Sequence, residues 1–157
     1  MFPALRPILN KGGAGRYISR QESVERLVPV AQRHLDLLYA YDSAVGALAD
    51  SPAWLPFHDV ALPNLRTEVS KMSETILSLG GTPPSGVDRE PALPARGDDR
   101  AVVQRLLDAE KDFGAALRHE ADEVHHQERT RAILGHNADA STSRIDLLRG
   151  VLANLPG

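Results

Sequence analysis

The chain has 157 residues, of which 42% are apolar but only 4% aromatic, with no cysteine and a formal net charge of −3. The missing cysteines exclude a disulfide scaffold and a thiolate metal site, and the mild acidity argues against a general nucleic-acid binder. With 21 Leu and 20 Ala against 16 Val plus Ile, the apolar content favours helix over sheet, because small and unbranched side chains lose little freedom in a helix. One domain built on one core is expected at this length.

Residues 1–19 read as a flexible arm. Arg6, Lys11 and Arg16 occur there, followed by Arg20, with no acid before Glu22. Such an arm can touch phosphate, but four charges in a Gly-rich start are mostly a matter of solubility, so a nucleic-acid partner is not expected. Pro3, Arg6, Pro7 and Lys11 interrupt any signal-peptide run, and no stretch reaches the roughly 20 apolar residues of a membrane span. A soluble, cytoplasmic protein without a membrane partner is the expectation.

The bundle proper is expected over 20–157. A first helix runs from about Arg20 to Ala49 on the stripe Val24, Val28, Ala31, Leu35, Leu38, Asp42, Val45 and Ala49. Pro29 should bend its first turns. After Asp50, Ser51 is a candidate cap and Pro52 suits a first turn, so a second helix spans about 52–79. Its stripe is Trp54, His58 or Phe57, Ala61, Leu65, Val69 or Glu68, Met72, Ile76 and Leu79, with a kink or late start at Pro63. Gly80-Gly81 should end it in a left-handed cap. Eight of the 18 residues from Gly80 to Gly97 are Gly or Pro, so this stretch is a connection. A third helix is expected over about 98–120 on Val103, Leu106, Glu110, Phe113 and Leu117. A fourth follows over about 124–154 on Leu134, Ala138, Ser141, Ile145, Leu148 and Leu152. The turn between them falls near His119 to Val124 or, alternatively, near Gly135 to Asn137.

Loop length fixes the expected topology. The short link makes the first two helices antiparallel neighbours. The long link reaches roughly 60 Å when extended, against about 40 Å for a 27-residue helix, so it can return along the bundle. The result is an all-α, up-down-down-up four-helix bundle with one long crossover, which is the ferritin-like arrangement.

Three segments carry a family resemblance. Leu38-Tyr39-Ala40-Tyr41-Asp42-Ser43-Ala44-Val45 resembles the first-helix segment of ferritin-like bundles. Leu77-Ser78-Leu79-Gly80-Gly81-Thr82-Pro83-Pro84 is similar to the second-helix ending of small bacterial ferritin-like stress proteins, and Leu106-Leu107-Asp108-Ala109-Glu110-Lys111-Asp112-Phe113 resembles their third helix. The resemblance extends over roughly Val24 to Leu155 as a pattern of short pieces. The resemblance implies a di-iron or di-manganese centre, with one Glu from each of two helices and a Glu-x-x-His from each of the others. Carried over, Asp42 stands for the first-helix Glu and Glu110 for the third-helix Glu.

The rest of that site is missing. The second helix offers Asn64-Leu65-Arg66-Thr67-Glu68 and the fourth Ala138 to Arg144, neither with a His. At about 1.5 Å per residue from the end where the first two helices join, Asp42 lies at about 12 Å, Glu110 at about 18 Å and Glu68 at about 24 Å. Iron and manganese sites normally use imidazole and several carboxylates. Asp42 and Glu110 are therefore expected as remnants, hydrogen-bonded inside to Tyr39, Tyr41 or Ser/Thr groups. No cofactor is expected, with iron or manganese on a reduced ligand set as the alternative.

A second cluster is His119, Glu123 and His126, which share a helical face at i, i+4 and i+7 and could take up zinc opportunistically. A solvated polar turn is the plainer reading. Trp54, Phe57 and His58 are expected to cap the core, and His34 and His136 to be surface or satisfied histidines. No phosphate-binding loop is readable at Gly12 to Gly15, because no strand precedes it. The expected function is a non-catalytic, homodimeric bundle acting by binding or oligomerisation, with a stress role implied by the resemblance; the alternative is a metal-dependent oxidase or metal-handling protein.

Overall fold

The computed structural model describes residues 19–85, 99–124 and 128–156, all of them helix, turn or link. The helices are α1 (Arg20–Ala47), α2 (Trp54–Pro56), α3 (Leu62–Ser78), α4 (Asp99–Glu123) and α5 (Glu128–Asn154), with a π-helical segment, Phe57–Ala61, joining α2 to α3. The last three pieces in that stretch share one continuous helical backbone, so the architecture is an all-α bundle of four rods. No helix among the described residues is long and apolar enough to cross a membrane.

Local chemistry sets the ends. Ser19 caps α1, its Oγ accepting the Glu22 N–H at 3.1 Å, and so satisfies one orphan donor of the first turn. The chain then turns at Ser51, whose Oγ accepts the Ala53 N–H at 3.1 Å, and α2 begins at Trp54 rather than at Pro52. Pro63 has no N–H to give and its ring crowds the carbonyl four residues back. The helix answers by widening: the Leu62 N–H reaches back to the Phe57 carbonyl, five residues earlier, which is the π pattern. The kink expected at Pro63 therefore takes the form of an extra residue per turn. At the far end of α3, Gly80 adopts φ +87° and donates to the Leu77 carbonyl at 3.0 Å while Gly81 donates to Ile76 at 2.9 Å. This is the crossed Schellman pair, and it needs the left-handed conformation glycine adopts without strain.

Contacts between ends give the helix directions. A Cβ on Gly81 would lie 2.5 Å from Val24 Cγ1, so the end of α3 abuts the start of α1. Arg26 on α1 pairs with Glu120 on α4 at 3.2 Å, and Arg100 on α4 donates to the Leu152 and Leu155 carbonyls at 3.2 and 3.0 Å. Thus α1 runs antiparallel to α3 and to α4, and α4 antiparallel to α5. The core of Leu27, Leu65, Met72, Leu117, Leu134 and Leu148 is fully buried between them. α4 continues to Glu123 and α5 runs unbroken from Glu128 through Gly135, so the chain does not break at Gly135 to Asn137, and His119 to Glu123 belong to α4. The basic arm expected over 1–19 lies, apart from Ser19, outside the described residues.

One expectation about α1 is corrected. Its buried positions are Ser23, Leu27, Val30, Ala31, His34, Leu37, Tyr41 and Ala44, a face turned by about one residue from the predicted stripe. The predicted stripe followed Leu35, Leu38 and Val45, which are only partly buried on the flank. The true core face admits His34 and Tyr41 instead, and it turns Asp42 outward.

Candidate functional site

The interior of the bundle holds a charged cluster at mid-height. Glu110 on α4 is fully buried and accepts four hydrogen bonds: from Tyr41 Oη at 2.7 Å, Ser141 Oγ at 2.8 Å, and Arg144 through Nε at 2.5 Å and Nη2 at 3.3 Å. Nη1 of the same arginine donates to Glu68 Oε2 on α3. Arg144 and Glu68 are 3% and 5% exposed. One guanidinium thus bridges two carboxylates from different helices, bidentate to one of them, a geometry its planar fork favours.

Each member is delivered by its helix. Glu110 and Ser141 face each other because Gly114 lets α4 and α5 close up; a Cβ there would stand 2.8 Å from Ser141 Oγ. Ser141 and Arg144 are i and i+3 on α5 and share a face. Tyr41 rises from the core face of α1 and meets Phe57 edge-on, with ring centroids 6.1 Å apart. Burial pushes the Tyr41 phenol well above its ordinary pKa, and the charge and hydrogen bond of Glu110 push it further. For Arg144 burial works against the charge, yet the hydrogen bond and charge of Glu110, with the charge of Glu68, raise its pKa above the ordinary arginine value. The guanidinium is a fixed cation.

Beside this cluster lies a second set of buried polar atoms. His34 is fully buried against Phe113, with centroids 4.7 Å apart, and its Nε2 is 3.7 Å from Glu68 Oε1. Both His34 ring nitrogens, Glu68 Oε1 and Asn137 Nδ2 have no hydrogen-bond partner among the described residues. The expectation of a surface or satisfied His34 is therefore corrected: Tyr41 and His34, seven residues apart, share the buried face of α1.

The sequence-predicted residues divide. Glu110 is buried at the centre, with Tyr41 and a serine among its partners. Asp42 is 63% exposed and lies 3.6 Å from Arg66, so it does not join Glu110 on the seam as predicted. The helix turns about 100° per residue, and the one-residue phase error moves it from the core to the surface. His119 and Glu123 are exposed near the end of α4, and His126 lies outside the described residues. Among the described residues no group of three or more His, Asp or Glu is placed to hold a metal ion. Trp54 is half-buried and stacks on exposed His58 at 4.2 Å, while Phe57 is fully buried.

A di-metal centre fits these residues poorly. The four acceptor positions of the Glu110 carboxylate are taken by four donors, and the guanidinium occupies the space between the carboxylates. Arg144 was the residue that sequence reasoning missed. A signal for it existed: it lies three residues after Ser141 and four before Leu148 on the predicted stripe, and a buried Glu110 needs a partner cation. A scan against known protein families and a search of curated proteins both find no match to this chain.

Proposed function

We propose that the chain is a ferritin-like bundle, in up-down-down-up order, in which the Arg144 guanidinium takes the interior position of the metal pair. On this reading it acts by binding and self-association, as a homodimer, and not through a di-iron or di-manganese centre. The antiparallel pairings of α1 with α3 and α4, and of α4 with α5, support the order. The observation that carries the proposal is the Glu110–Arg144–Glu68 bridge, which neutralises by an internal cation what a metal would otherwise neutralise.

A second reading, a metal-handling protein with a reduced ligand set, draws on the unpaired His34 Nε2 and Glu68 Oε1, 3.7 Å apart. Metal analysis of protein purified without chelator or histidine tag separates the two. The first reading expects no stoichiometric iron, manganese or zinc. Near-stoichiometric metal that disappears in Glu68→Ala or His34→Ala overturns it in favour of the second.

A further inference from the structure

α3 and α5 do not close fully against each other; a cleft of about 310 Å³ lies between them, with Glu68 and Arg144 in its wall. That volume is at the lower end of the range for small-molecule sites. Because Glu68 on α3 is bonded to Arg144 on α5, the remaining lining residues can be ordered along the cleft from that level at about 1.5 Å per residue. Toward one end come Asn64, Leu147 and Val60. Toward the other come Lys71, Ala140 and His136.

The two ends differ in chemistry. Val60 is 47% exposed, one of three large apolar side chains so exposed among the described residues, and it belongs to the π-helical turn forced by Pro63. Leu147 is half-buried beside it. Between the ends, Thr67 Oγ1 is bonded to the Pro63 carbonyl at 3.0 Å and Ser143 Oγ to Asp139 at 3.3 Å, so these hydroxyls are satisfied by their own helices. At the opposite end the Lys71 ammonium and the His136 ring make no hydrogen bond or ion pair with the described residues. Glu68 is committed to Arg144, and its other oxygen is buried next to His34. The accessible charge is therefore cationic, and it lies at one end of a cleft whose other end is uncharged, with Val60 and Leu147 beside the neutral Asn64.

We infer that this cleft binds an amphipathic carboxylate, its head on Lys71 and His136 and its chain along Thr67 and Ser143 to Val60 and Leu147. From Val60 to Lys71 the cleft is about 16 Å long, which suits a chain of about ten carbons. The site gives content to the binding role proposed above. Its test is independent of the metal analysis, since a metal-free protein can still fail to bind the ligand.

The probe is decanoate, titrated calorimetrically into the full-length protein below its micelle concentration, with decylamine as the charge-reversed control. The expected result is one decanoate per chain, decylamine weaker by about tenfold or more, and a loss of about tenfold in Lys71→Gln, the scale of a charged hydrogen bond. Val60→Asp, at an exposed position, should abolish binding while unfolding at the same urea concentration as the parent. No saturable decanoate binding, several molecules per chain, equal binding of decylamine, or unchanged affinity in both variants overturns the inference.

Discussion

Arg144 is the residue on which the interior depends. A buried ion pair gives uncertain net stability, because desolvation offsets the attraction, whereas removing one partner strands the other charge. Arg144→Met should therefore cost about 3–5 kcal/mol in urea unfolding, leaving Glu68 and Glu110 without their shared cation. Replacing the set together, as Glu68→Leu, Glu110→Leu and Arg144→Met, should restore most of that loss; a triple variant as unstable as the single one contradicts this account of the cluster. Tyr41 gives a pH signature. Its pKa is raised in the folded chain, so the unfolded chain releases that proton first above about pH 10, and stability is complete below that pH and declines as pH rises further. The Tyr41 phenolate should appear only together with alkaline unfolding, and Tyr41→Phe should remove that step from the absorbance titration. Of these residues Glu110 was legible as a carboxylate on an apolar stripe. Arg144 was legible only through the cation that a buried Glu110 requires, and His34 was not, since hydropathy alone assigns a polar side chain to the outside.

The elements were legible where backbone chemistry marks them. Gly80-Gly81 ends α3 as predicted, because a left-handed cap has a strong glycine signature. Gly80→Ala should destabilise the protein by about 1–2 kcal/mol, the strain of a Cβ at that φ. Face assignment was harder. In α1 the partly buried flank of Leu35, Leu38 and Val45 is as apolar as the core face, so periodicity alone favoured a phase one residue off and gave Asp42 the place of Tyr41. In the second rod the predicted stripe holds across the π turn, since Phe57, Ala61, Leu65, Glu68, Met72 and Ile76 are all buried. Between α4 and α5, Gly114 permits the contact that holds Ser141 on Glu110. Gly114→Ala gains about 1 kcal/mol of helix propensity but forces Ser141 aside, and overpacking of about 1–3 kcal/mol should leave the variant less stable by thermal unfolding.

At the scale of the molecule, composition and loop length together indicated an all-α bundle of four rods, and contacts such as Arg26 with Glu120 set α1 antiparallel to α4. The height count was informative in an unintended way. It put Glu68 about 6 Å beyond Glu110 along the bundle, and the Arg144 fork reaches both carboxylates. A homodimer is part of the proposal, so sedimentation should give twice the 17.0 kDa chain mass, and a monomer at all concentrations removes that part. The central claim is that the cation inside this bundle is a side chain. Anomalous diffraction at the manganese edge, from crystals grown with excess Mn²⁺, tests it most directly. Guanidinium density between Glu68 and Glu110 with no anomalous peak is the expected result; a manganese peak at that position, with Arg144 turned out into the α3–α5 cleft, overturns it.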